Sequence, residues 1–290
     1  MARLMRVTIL TALAVGVTGG ALGLAPAAGD ESPHLHDADT VRGGWSPDVK
    51  AAKRFARGRT GGVRFAFIDP YGRWHSLNAR NGAPMASLFK ALLLATYLSQ
   101  PNVRDRSLHG WERDLLNPMI KRSDNGSATR LRDMLGPGPI KNMARRANMD
   151  DFSYNSIWGL SRTSSRDQVR FFSHWDSFVP QRHEDYARYL LSHIVPSQRW
   201  GVGRVTPQGW RLYFKGGWGV GTGRVNHQTA FYEKGVCRAT LSVMTEYSPD
   251  HHYGTETIKG IAERLINGIN GVNCGRLTQG GRAYIRHQSR

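Results

Sequence analysis

The sequence predicts a mixed α/β (α+β) chain, with strands towards both ends and helices in the middle. Three observations carry this. Strand patterns occupy residues 63–68 and 74–79, helical periodicity runs from Ala86 to about Ile194, and strand patterns return at 210–215, 225–233 and 238–246. This order implies one α/β lobe made from the two chain ends (46–80 and 205–273) and a helical lobe (81–204) inserted between them. Sites commonly form in the cleft between such lobes. The chain has no internal repeat.

The elements follow in order. Residues 1–27 carry Arg3 and Arg6, an apolar stretch from Val7 to Leu24, and Ala25-Pro26-Ala27, the pattern of a signal peptide with a small-residue cleavage site. No other run is long enough to span a bilayer, and no cysteine at the cleavage site signals lipid attachment. Residues 28–45 are polar and read as a flexible linker. Ser46 as N-cap, with Pro47 at the first helical position, starts a helix. Val63 to Ile68, the turn Asp69-Pro70-Tyr71-Gly72 and Trp74 to Ala79 form a hairpin. The helical stretch breaks at Gly136-Pro137-Gly138-Pro139 and near Asp150 to Ser161. A last helix spans about Thr255 to Ile269, and residues 274–290 are a basic tail with Arg276, Arg282, Arg286 and Arg290.

The formal net charge is +18. Basic clusters such as Lys53, Arg54, Arg57 and Arg59 show no nucleic-acid readout motif, and the leader points to export. Anionic cell-envelope polymers are therefore the expected macromolecular partners, against the plainer reading of a solvated face. Cys237 and Cys274 both follow the leader, and an even count in an oxidising compartment implies one disulfide. It would pin the last helix to a strand, and chain entropy assigns it roughly 3 to 4 kcal/mol. His34, His36, His251 and His252 invite a metal, but histidines in flexible, acid-containing segments are ordinarily solvated, so no metal or cofactor is expected.

Three short motifs stand in order: Ser87-Leu88-Phe89-Lys90, Ser123-Asp124-Asn125 and Lys215-Gly216-Gly217. Ser87 and Lys90 share a helix face by their spacing, which sets an amine beside a hydroxyl. A serine needs a base to become a nucleophile, and a lysine serves when burial or a nearby cation lowers its pKa; Lys215 is such a cation. Each motif alone has an ordinary reading: a helix N-cap, a turn, a glycine loop. The glycines from Gly216 to Gly223 lack the Lys-Ser or Lys-Thr of a phosphate loop.

The set resembles the S-x-x-K, S-D-N and K-T-G of the class A serine β-lactamase and penicillin-binding-protein superfamily. The resemblance extends to Trp74-His75-Ser76-Leu77-Asn78, Pro84-Met85-Ala86, Arg162 to Asp167, Gln198 to Gly201 and Gly209 to Arg211, and covers residues 46 to 273. It implies an antiparallel five-stranded sheet with flanking terminal helices. It further implies an acyl-enzyme at Ser87 with a β-lactam or D-alanyl peptide, Lys90 as base and Ser123 as proton relay. Asn125 would orient the substrate amide and Lys90, Lys215 would draw the substrate carboxylate, and the backbone N–H groups of Ser87 and Trp218, the latter next to Gly217, would form the oxyanion hole. The sequon Asn125-Gly126-Ser127 would be buried in that cleft and unglycosylated.

Two departures from the family stand out. Gly216 replaces a hydroxyl residue, removing a hydrogen bond to a charged substrate group worth roughly 1.5 to 3 kcal/mol. The family's class A β-lactamases also carry a glutamate between the second and third motifs that activates the deacylating water, and here only Glu184 lies there, inside a helix. A positioned base contributes roughly 10² to 10⁴ in rate. The stand-ins are Asp150 and Asp151. The sequence thus predicts a secreted, monomeric β-lactamase-like serine hydrolase, slow in deacylation. The alternatives are a D-alanyl-D-alanine peptidase or transpeptidase of the wall, and a retired fold that binds envelope polymers.

Overall fold

In the computed structural model, which describes residues 44–274, the first helix α1 (Val49–Arg57) starts later than Ser46. Asp48 is its cap: Oδ1 accepts the Ala51 N–H at 2.8 Å, because its carboxylate reaches the free amides of the first turn and Ser46 lies outside it. Trp45, at the end of the segment read as linker, donates from Nε1 to the Asn267 carbonyl at 2.6 Å. The leader, most of that linker and the basic tail beyond Cys274 lie outside the described residues.

Strand β1 (Gly62–Ile68) turns into β2 (Trp74–Leu77). Asp69 closes the turn by accepting the N–H groups of Tyr71 and Arg73. β2 ends at Leu77 rather than Ala79 because Asn78 turns at φ +50°. The short strand β3 (Ala83–Pro84) precedes the helices α2 (Phe89–Leu98), α3 (Gly110–Lys121), α4 (Asn125–Leu135) and α5 (Pro137–Arg146). Every residue of α2 is buried, which its Leu- and Ala-rich run demands. The Gly-Pro break proves to be a start: Gly136 turns at φ +65° and Pro137 occupies the first position of α5, where its missing N–H costs nothing.

After the loop 147–161, β4 (Arg162–Thr163) pairs with β3. Helices α6 (Ser165–Ser173), α7 (Trp175–Phe178) and α8 (Gln181–Ser192) follow. Strands β5 (Arg211–Gly219), β6 (Val225–Lys234) and β7 (Cys237–Glu246) and helix α9 (His251–Ile266) complete the described chain. α9 begins before Thr255 because Asp250 caps it through the Tyr253 N–H at 2.7 Å.

The main sheet is five-stranded, in the order β2-β1-β7-β6-β5, with every pair antiparallel. On β6, Phe231 meets Phe172 of α6, while Asn226, of opposite parity, abuts Gly254 of α9. Alternate residues of a strand point to opposite faces, so helices cover both sides and β6 is buried along most of its length. The Cys237–Cys274 disulfide ties the start of β7 to the segment after α9. β5 forms the open edge of the sheet, and its Lys215-Gly216-Gly217 lies beside Ser87. No helix among the described residues is long and apolar enough to cross a membrane.

Candidate active site

Ser87 sits in a 3₁₀ turn, Ala86–Leu88, that runs directly into α2. Ala86 enters this turn at φ +44°, a conformation an alanine holds only when its surroundings impose it. They do so from both sides: the Met85 N–H donates to the Ser161 carbonyl at 2.7 Å, and His227 Nε2 donates to the Pro84 carbonyl at 3.0 Å. Burial pushes the His227 pKa down to about 3, so this histidine is neutral. A Cβ on Gly217 would fall within 2.9 Å of the Ser87 and Leu88 amide nitrogens and the Met85 carbonyl, so only glycine admits the turn this close to β5.

Lys90 is fully buried one turn after Ser87. Its Nζ lies 2.9 Å from Ser87 Oγ, 3.1 Å from Ser123 Oγ and 2.7 Å from Asn125 Oδ1, and it also donates to the Ser123 carbonyl. Burial, partly opposed by Asp124, pulls its pKa down to about 7. A neutral amine has two N–H groups and one lone pair. The Ser123 carbonyl and Asn125 Oδ1 can only accept, so they take the two N–H groups. The lone pair is left for a hydroxyl, and the Ser87 hydroxyl can surrender its proton to it.

Ser123 bridges two amines, since Lys215 Nζ lies 3.0 Å from the same Oγ and 2.8 Å from the Gly216 carbonyl. Ser123 takes φ +57°, which aims its carbonyl as well as its hydroxyl at Lys90. Burial, and secondarily the Lys90 charge, hold the Lys215 pKa well below its usual value. Asp124 anchors this corner by capping α4 through the Ser127 N–H at 2.7 Å.

Ser87, Lys90, Ser123, Asn125, Lys215 and Gly217 are therefore brought together. Asn125 is exposed rather than buried, because it starts α4 at the surface with only its Oδ1 turned to Lys90. Asp150 and Asp151 face other partners. Asp150 pairs with Arg170 at 2.6 Å, and Asp151 accepts from Ser164 Oγ at 2.8 Å. Glu184 is bound to Arg188 on α8.

The loop brings Trp158 to the site instead. Its ring centroid lies 4.9 Å from Lys90 Nζ, and its Nε1 donates to Thr129 Oγ1 at 3.1 Å. Trp200 was unmarked by the sequence beyond its place before the third motif. Its indole packs where a side chain on Gly216 would begin, 3.2 Å from that ideal Cβ. His227 carried no sequence signal at all.

No curated protein sequence matches the chain. Among solved structures, the β-lactamase from Sphaerobacter thermophilus DSM 20745 is 19% identical with a TM-score of 0.68, over 78% of this chain and 98% of that one. PBP-A is 13% identical with a TM-score of 0.66, over 78% and 96%. The β-lactamase from Streptosporangium roseum is 15% identical with a TM-score of 0.61, over 78% and 99%. These likenesses show a common fold. The model of the beta-lactamase enzyme family matches residues 112–269, more than half of the sequence and two of the three motifs. The chain thus belongs to the beta-lactamase enzyme family, and it is a serine hydrolase of the β-lactamase type.

Proposed function

We propose that the protein is a secreted enzyme that forms an acyl-enzyme at Ser87 with β-lactams or related D-alanyl amides and releases it slowly. The contact between Lys90 Nζ and Ser87 Oγ carries this reading, because both N–H groups of a neutral Lys90 are already committed elsewhere. Ser87 Oγ attacks the amide carbonyl carbon while its proton passes to Lys90 Nζ. The oxyanion is held by the backbone N–H groups of Ser87 and Trp218. The C–N bond then breaks, with Lys90 returning the proton through the Ser123 hydroxyl to the leaving nitrogen. Asn125 steadies Lys90, and an arriving substrate carboxylate raises the Lys215 pKa again and is met by its ammonium.

Slow release is supported by what surrounds Lys90. The Asp150, Asp151 and Glu184 carboxylates are engaged by Arg170, Ser164 and Arg188, and an indole rather than a carboxylate covers the amine. Export is supported by the leader pattern of residues 1–27 and by the Cys237–Cys274 bond. A D-alanyl peptidase of the wall is the second reading. The missing carboxylate favours it, and a PBP-A variant of like fold is known as an acyl-enzyme with penicillin G. A peptide-release assay separates the two. The decisive test of the site is Ser87→Ala, which should abolish labelling by a fluorescent penicillin; undiminished labelling would remove Ser87 as the nucleophile.

A further inference from the structure

Over Gly216, on the α9 face of β5, three rings gather. Trp200 and Trp218 meet edge to face at 5.8 Å, Trp200 and His251 at 5.2 Å, and Trp218 and His251 at 6.0 Å. Two of them are fixed from behind. Trp200 is 8% exposed, its carbonyl accepts Gln228 Nε2 at 2.9 Å, and its ring fills the space above Gly216. His251 Nδ1 lies 2.6 Å from Oδ1 of the buried Asn226. The amide oxygen can only accept, so Nδ1 carries the proton and Nε2 keeps its lone pair. Burial lowers the His251 pKa, which keeps the ring neutral.

Trp218, at 37% exposed, and His251 are the open members of the group. Trp218 directly follows Gly217, on which an ideal Cβ would lie 2.8 Å from the Ser87 amide nitrogen, and its side chain takes the Gly216 face of the strand. The Gly216 face of the motif thus offers aromatic faces and a lone pair where the missing hydroxyl would have offered a donor. Such a surface disfavours a desolvated anion and favours a flat, uncharged ring, which gains offset or edge-to-face contacts.

We propose that the Trp200–Trp218–His251 cluster is a subsite for an uncharged planar aromatic substituent on the acyl donor, carried on the leaving-group side of the scissile amide. The proposal rests on the reading of Ser87 as nucleophile for its place in the reaction, but binding at the rings can be measured without chemistry. Two cephalosporins differing only at the 3-position, one dinitrostyryl and one methyl, are titrated against Ser87→Ala protein by calorimetry, with and without Trp218→Ala.

The dinitrostyryl compound should bind about tenfold tighter, and Trp218→Ala should reduce this preference to within about twofold. Equal binding of both compounds, or a preference that survives in Trp218→Ala protein with an unchanged melting temperature, would overturn the subsite. A His251→Ala background should lower the preference in the same direction, and an unchanged preference there would remove His251 from the cluster's role. Mass spectrometry of the unsubstituted protein reports separately on Ser87. A preference without an adduct would sustain the subsite and defeat the acyl-enzyme, and an adduct without a preference would do the reverse.

Discussion

An ideal Cβ on Gly217 would lie 2.8 Å from the amide nitrogen of Ser87. The edge strand and the nucleophile turn are thus in backbone contact, and this contact sets where the Ser87 N–H points. Gly217→Ala should lower the acylation rate constant about a hundredfold, the scale of a misplacement near 1 Å. Fluorescent penicillin labelling checks this, and a rate within about threefold of the native value would show that the contact is not needed.

Lys90 sets the pH dependence. Its pKa is lowered to about 7 by burial, and the base form is the neutral amine, so the competent fraction grows as pH rises through 7. Acylation should rise about tenfold per unit below pH 6 and level off above pH 8. Lys90→Arg fixes the charge and should abolish labelling at every pH.

Trp158 shields that amine. Trp158→Ala admits water, which stabilises the ammonium, so the midpoint of the acylation profile should move up by about half a unit to one unit. The same opening should shorten the lifetime of the adduct, followed by intact mass. An unmoved midpoint would mean that burial by other groups sets the Lys90 pKa.

Asp167 is buried beside the loop, where its carboxylate accepts the Asp151 N–H. Burial, reinforced by the Asp151 charge, pushes its pKa up to about 6. The folded state therefore holds a proton that the unfolded chain releases between pH 3.8 and 6, and stability from this group is lost as pH rises through that window. Asp167→Asn should stabilise the protein by about 1 to 3 kcal/mol at pH 8 and by almost nothing at pH 4. Denaturant titrations at the two pH values check the sign.

The Cys237–Cys274 bond closes a loop of 37 residues. Replacing both cysteines by alanine should lower stability by about 2 to 4 kcal/mol, read from the shift in urea midpoint at constant slope. A shift below about half a kcal/mol would mean that α9 is held mainly by its packing.

The strands and the motif residues were legible because their signals are local. Alternation marks β1 and β7, and Ser87 and Lys90 are marked by their spacing together with the two motifs that follow. Element ends were less legible, since a cap is decided by which side chain reaches a free amide: Asp48 and Asp250 won over Ser46 and the Thr255 region. The groups around the site were hidden for a different reason. Trp158, Trp200 and His227 act on Lys90, Gly216 and Pro84, which are distant in sequence, and only folding makes them neighbours. The carboxylates at 150 and 151 were misleading because composition says nothing of direction, and nearby Arg170 and Ser164 claim them.

The most direct measurement is to mix the purified protein with a chromogenic cephalosporin and follow colour and intact mass together. A single burst of colour, with a stable mass increase on the peptide containing Ser87, is the expected result. Sustained turnover without a persistent adduct, an adduct on another residue, or neither colour nor adduct would contradict a slowly released acyl-enzyme at Ser87.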